Sequence, residues 1–166
     1  MQRRQSFPIP SLRIRLEYFA LLFLIIGSLL RLVWPSDMEW KADEIWMFEN
    51  SRATAAGALP WPMVGMRSSV GLMNPGMSIW LFILIAYLAK TPVAMVMVVQ
   101  VLNVLALWGL YYFMVVRIPE EKREPWLWGL ILVSVSPLPI LFSRKIWACD
   151  LLPVFSLLVL IGHWCR

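Results

Sequence analysis

The chain alternates long apolar stretches with short charged ones, and one polar interval is much longer than the others. Apolar runs cover residues 18–34, 77–89, 92–116, 126–142 and 151–164. Between the first two lies 34–76, which holds Asp37, Glu39, Asp43, Glu44 and Glu49, half of the ten acidic residues. A membrane helix needs about 17 or more apolar residues. By that measure 18–34, 92–116 and 126–142 qualify. The run 77–89 would reach only about 20 Å as a helix, against a hydrocarbon core of about 30 Å. The pattern predicts an all-α fold: a multi-pass transmembrane helical bundle with an outer loop carrying a short membrane-surface helix. Residues 1–166 form a single transmembrane domain on this reading, with a cytoplasmic lead at 1–17 and an extracytoplasmic loop at 35–76.

The surface helix is predicted over residues 43–56. Asp43 can cap it, Glu44 suits its first turn, Gly57 can end it, and Pro60 and Pro62 block continuation. Residues 60–76 then form an irregular return. Arg31, near the outer end of the first run, is expected to snorkel toward the headgroups; the functional alternative is that it faces an anionic ligand. Pro137 and Pro139 interrupt the end of the run 126–142.

Composition agrees with the pattern. The 166 residues are 60% hydrophobic and 15% charged, whereas a soluble domain has about 45–50% apolar and about 25% charged residues. The net charge of +5 does not point to nucleic acid. Arg3, Arg4, Arg13 and Arg15 precede the first apolar run, and by the positive-inside rule they hold that end in the cytoplasm and place the long loop outside. The expected location is the bacterial inner (plasma) membrane, as an integral, multi-pass protein. A cleaved signal peptide over residues 1–36 fits poorly, because no small-x-small site follows the apolar core. Cys149 and Cys165 lack metal or redox spacing, and His163, the only histidine, is given no role. The tryptophans fall mostly near segment ends, as in an interfacial belt. The last apolar run stops two residues before the C-terminus, which leads us to expect a partial protein.

Two features carry candidate chemistry. One is the Asp43–Glu44 pair just outside the first apolar run. The other is SRKIWACD, residues 143–150, where Arg144, Lys145 and Asp150 interrupt apolar sequence. A carboxylate at such a boundary is costly against lipid, so Asp150 should face the bundle or a water-filled cavity. If Asp43 and Asp150 share a site, the chain must cross an even number of times between them. The short run 77–89 is then expected to be re-entrant, strongly tilted or folded back.

The order of these features resembles the N-terminal part of the GT-C membrane glycosyltransferases. It is most similar to the protein O-mannosyltransferase and aminoarabinose-transferase-like branch, glycosyltransferase family 39 and its bacterial relatives. In that family a first span leads to an outer Asp-Glu pair, then a surface helix, a Pro-containing PPL-x-x-W segment and an S-R-x-x-x-x-D motif. Here Ala42-Asp43-Glu44, Asn74-Pro75-Gly76-Met77-Ser78-Ile79-Trp80, and Ser143-Arg144 with Asp150 stand in those places. The resemblance covers nearly the whole chain, and the chain corresponds to about the first third of a family member.

What the resemblance implies is transfer of a sugar from a polyprenyl-phosphate donor to an acceptor hydroxyl at the outer membrane face. Asp43 would be the general base. Glu44, Asp150, Arg67 and Arg144 would bind substrate. Relatives often carry Glu-Lys before a double proline, where the lysine holds the lipid phosphate. This chain has Met73-Asn74 and a single proline there. Arg67, Arg52 or Arg144 would have to replace that lysine, or else a divalent metal, which Asp43 and Asp150 would hold. No other cofactor is implied. The partners implied are the lipid-linked sugar and membrane lipid, with the acceptor open and no nucleic acid. The alternative class is a transporter or channel-like subunit, or a non-catalytic multi-pass membrane subunit. A transporter would more naturally place its charges in mid-span.

Overall fold

The computed structural model describes residues 10–164, with side chains from residue 16 onward. Arg3, Arg4 and Cys165 therefore lie outside the described residues, as does most of the basic lead. Seven α-helices and one small sheet are described: α1 (Pro10–Leu32), α2 (Ala42–Ala55), β1 (Val64–Arg67), β2 (Met73–Pro75), α3 (Met77–Leu88), α4 (Pro92–Arg117), α5 (Glu124–Val135), α6 (Pro137–Phe142) and α7 (Leu152–Trp164).

The sequence expectation of an all-α, multi-pass transmembrane bundle needs correcting on two counts. First, the return after α2 is not irregular. β1 and β2 pair antiparallel, with Arg67 opposite Met73 and Val64 opposite Pro75. The turn closes through Ser68 N–H to Leu72 O (2.7 Å) and Gly71 N–H to Ser68 O (2.9 Å). Gly71 takes φ +87° there, a conformation glycine adopts without a Cβ penalty.

Second, among the described residues only α4, with 26 residues, is long and apolar enough to cross a membrane. The reasons are local. The run 126–142 breaks at Ser136, which is extended (φ −62°, ψ 132°), because Pro137 has no N–H to continue the ladder and restricts the residue before it. α5 is left with 12 residues and α6 with six. A 12-residue helix rises only about 18 Å, and α3 has the same length. α1 is 23 residues long but includes Arg13, Arg15, Glu17 and Arg31.

Helix packing follows the apolar stripes. On α1, Ala20, Leu24, Gly27, Ser28 and Arg31 are buried, a helical spacing of three and four. That stripe lies against α5. Gly27 permits the close approach, since a Cβ there would run into the Ser134 carbonyl. At one end of the pair Arg123 meets Glu17 (3.2 Å), and at the other Arg31 meets Ser134 (2.6 Å). The two helices are therefore parallel. α4 runs the opposite way, with its last turns at the Glu17 end, where Met114 and Ile118 share a core with Ala20 and Leu127.

At the other end, Met47 of α2, Ile79, Phe82 and Ile83 of α3, and Met95, Val96 and Val99 of α4 pack with Ile146 and Leu151. α3 thus folds back between α2 and the first turns of α4. Two passages along the bundle, α4 away and α5–α6 back, separate α2 from the segment 143–151. That even count brings α2 and Asp150 to the same end.

Candidate functional site

The site forms where the loop after α1, the start of α2 and the segment between α6 and α7 meet the first half of α4. Trp34 reverses the chain after α1 in a left-handed conformation (φ 52°), and the following loop carries Asp37 and Glu39. Lys41 is the N-cap of α2, with Glu44 three positions later. The Glu44 carboxylate accepts the Lys41 N–H (3.2 Å), the return half of a capping box.

Asp150 is the most unusual group. It lies in a 3-10 turn, Ala148–Leu151, and is 1% exposed. Its Oδ2 accepts the Trp147 N–H (2.9 Å), and its Oδ1 has no partner among the described residues. The turn is tied to α4 by Asn103, whose Nδ2 donates to the Asp150 carbonyl (2.8 Å) and to Val99 O (2.9 Å). Burial pushes the Asp150 carboxyl up to about 7; the Trp147 N–H and the Lys145 charge oppose this, and the Glu44 and Glu39 charges add to it. Desolvation dominates because a carboxylate loses its hydration there and gains a single hydrogen bond in return.

Around Asp150 the charges are arranged in pairs. Glu39 lies between Lys41 and Lys145 and pairs with both. These two lysines hold its carboxyl down at about 2. Arg144 donates to Leu30 O (2.5 Å) and Val33 O (3.0 Å) at the end of α1 and is 3.8 Å from Asp37.

Asp150 and Asn103 line a cavity of about 330 Å³, together with Arg31, Leu107, Leu138, Phe142 and Pro153. Arg31 does not snorkel. It is 2% exposed, donating to Gly27 O (2.9 Å), Ser134 O (2.6 Å) and Val133 O (2.8 Å). The broken end of α5 explains this, since Pro137 leaves the last α5 carbonyls without helical partners. A second apolar hollow of about 350 Å³ shares Leu107, Val133, Leu152 and Pro153 with the first and continues between α4 and α7.

The residues singled out in the sequence separate into two groups. Asp150 and Glu44 are buried at this end of the molecule, and Glu44 acts on Asp150 through its charge. Asp43 is exposed on the first turn of α2 and is not the cap. Arg67 is exposed on the hairpin and donates to Gly71 O (3.3 Å). Arg52 donates to Ala86 O (2.6 Å), and Arg144 is engaged at the end of α1. Among the described residues no three His, Cys, Asp or Glu side chains are grouped to hold a metal ion. Gln100, 1% exposed, has neither side-chain amide atom paired among the described residues.

Sequence reasoning read Arg31 as a headgroup anchor ahead of an anion-facing group, and gave Asn103 and Glu39 no place in the site. Arg31 and Asn103 had a usable signal. Each continues a buried helical stripe, after Ala20, Leu24 and Gly27 on α1 and after Val96, Val99 and Gln100 on α4. Glu39 had none, because its pairing with Lys145 depends on tertiary structure. No protein-family model, no curated protein and no solved structure matches the chain.

Proposed function

We propose that this chain acts at the membrane in transferring a sugar from a polyprenyl-phosphate donor to an acceptor hydroxyl, with Asp150 as the proton acceptor. The observation that carries the reading is the free Oδ1 of Asp150, buried and unpartnered in a largely apolar cavity. A carboxyl near 7 is matched to proton transfer at neutral pH. The acceptor O–H proton passes to Asp150 Oδ1 as the acceptor oxygen bonds to the anomeric carbon. The sugar–phosphate C–O bond breaks, and the phosphate leaves with the electron pair.

Asp150 takes this role rather than Asp43, because Asp43 is exposed on the first turn of α2 and does not line the cavity. The adjoining apolar hollow between α4 and α7 suits the hydrocarbon of a lipid-linked donor. The length of α4 suits residence at the bilayer where such a donor is found.

The test is release of polyprenyl phosphate from a panel of labelled hexose and pentose donors by the purified chain in lipid vesicles. Release that disappears in Asp150→Asn supports the reading, and no release from any donor refutes it. One observation favours a solute-conducting subunit instead. Gln100 places two unpaired amide atoms on the α4 stripe that also bears Asn103. Solute flux through those vesicles, lost in Gln100→Leu, would carry that reading.

A further inference from the structure

We propose that Arg31 is the anion-binding group of this cavity and holds a phosphate group whose attached hydrocarbon lies against the apolar wall. The identity of the phosphate as a lipid ester rests on the transferase reading; the anion site itself stands on the geometry of Arg31.

A guanidinium carries five N–H donors. In Arg31, three hydrogen bonds run to the carbonyls of Gly27, Val133 and Ser134, which leaves two donors unused among the described residues. Among the described residues no carboxylate lies within ion-pair distance of it. A buried cation compensated only by carbonyl dipoles is expensive to keep. An anion in the cavity it lines would remove that penalty and form charge-assisted hydrogen bonds.

The other arginines do not compete for this role. Arg144 is engaged by Leu30, Val33 and Asp37, Arg52 by Ala86, and Arg67 is out on the hairpin. The cavity also has the right polarity for an ester. Arg31 and Asp150 are the charged residues that line it, and Leu107, Leu138 and Phe142 are among its apolar lining. In its neutral form Asp150 can donate a hydrogen bond to a phosphate oxygen.

The experiment is direct binding to the purified full chain in lipid nanodiscs. The probes are farnesyl phosphate, farnesol and inorganic phosphate. Farnesyl phosphate should bind more tightly than farnesol, and Arg31→Gln should weaken it by about 10-fold or more, the scale of one charged hydrogen bond. Arg31→Lys should retain part of the affinity, and a change at the exposed Lys90, Lys90→Gln, all of it. Because Arg31→Gln removes contacts between α1 and α5, Leu138→Trp is the companion variant: it narrows the cavity and leaves Arg31 in place. Loss of farnesyl phosphate binding in that variant, with unchanged thermal stability, supports the site.

Inorganic phosphate binding as tightly as the ester, and dependent on Arg31, keeps the anion site but assigns it to free phosphate. Equal binding of farnesol and farnesyl phosphate overturns the proposal, as does farnesyl phosphate affinity indifferent to both Arg31→Gln and Leu138→Trp. Arg31-dependent binding without release from any sugar donor leaves the anion site standing and removes the transferase reading.

Discussion

Replacing Asp150 by asparagine should make the protein less sensitive to rising pH. The carboxyl titrates at 3.8 when unperturbed and at about 7 in the folded chain. The folded state therefore binds the proton more tightly than the unfolded chain does. Stability from this group is fully present below about 4 and is lost as pH rises through about 7. At about 1.4 kcal/mol per pH unit, the difference amounts to about 4 kcal/mol between pH 4 and pH 8. Asparagine keeps the shape and can still accept the Trp147 N–H, but it has no charge to desolvate.

Thermal unfolding in nanodiscs at several pH values between 4.5 and 8 measures this. The wild-type midpoint should fall across that range while Asp150→Asn stays nearly flat, so the variant becomes the more stable protein at pH 8. Glu39 does not interfere, because its carboxyl at about 2 is ionised throughout. Parallel curves for the two proteins would show that Asp150 is not held in a desolvated site.

Two further predictions concern the groups around it. Gly27→Val should drive α1 away from the Ser134 carbonyl and lower stability by about 1–3 kcal/mol, the range for overpacking; an unchanged unfolding midpoint would contradict the close α1–α5 contact. Glu39→Gln frees Lys145 to act on Asp150, so the pH midpoint of donor release should move to more acidic values, and less so at high salt. A move to more alkaline values would refute that arrangement.

Much of the helical layout was legible because it follows from periodicity and breakers. α2 occupies Ala42–Ala55 where 43–56 was expected, α3 Met77–Leu88 where 77–89 was expected, and α4 Pro92–Arg117 where 92–116 was expected. What hydropathy could not supply was helix length at prolines. The run 126–142 reads as one segment, yet Pro137 divides it, and with that break the multi-pass expectation gives way to a single helix of spanning length among the described residues.

The hairpin was hidden for a different reason. Its two strands are only four and three residues long, too short for alternation to register. At the site, the type of residue was easier to anticipate than its environment. Asp43 and Glu44 are adjacent in sequence, but on a helix adjacent residues point about 100° apart, so one is exposed and the other buried. Arg31 looked like a headgroup anchor because the sequence does not show that α5 ends beside it with unpaired carbonyls.

The central claim is that Asp150, not Asp43, takes the proton in sugar transfer. Its most direct test compares donor release by wild type, Asp150→Asn and Asp43→Asn in the same vesicles at pH 7. Loss of a positioned general base should slow Asp150→Asn by about 100-fold or more, while Asp43→Asn stays within about twofold of wild type. Full activity in Asp150→Asn together with loss in Asp43→Asn would contradict the account and move the chemistry to the exposed first turn of α2.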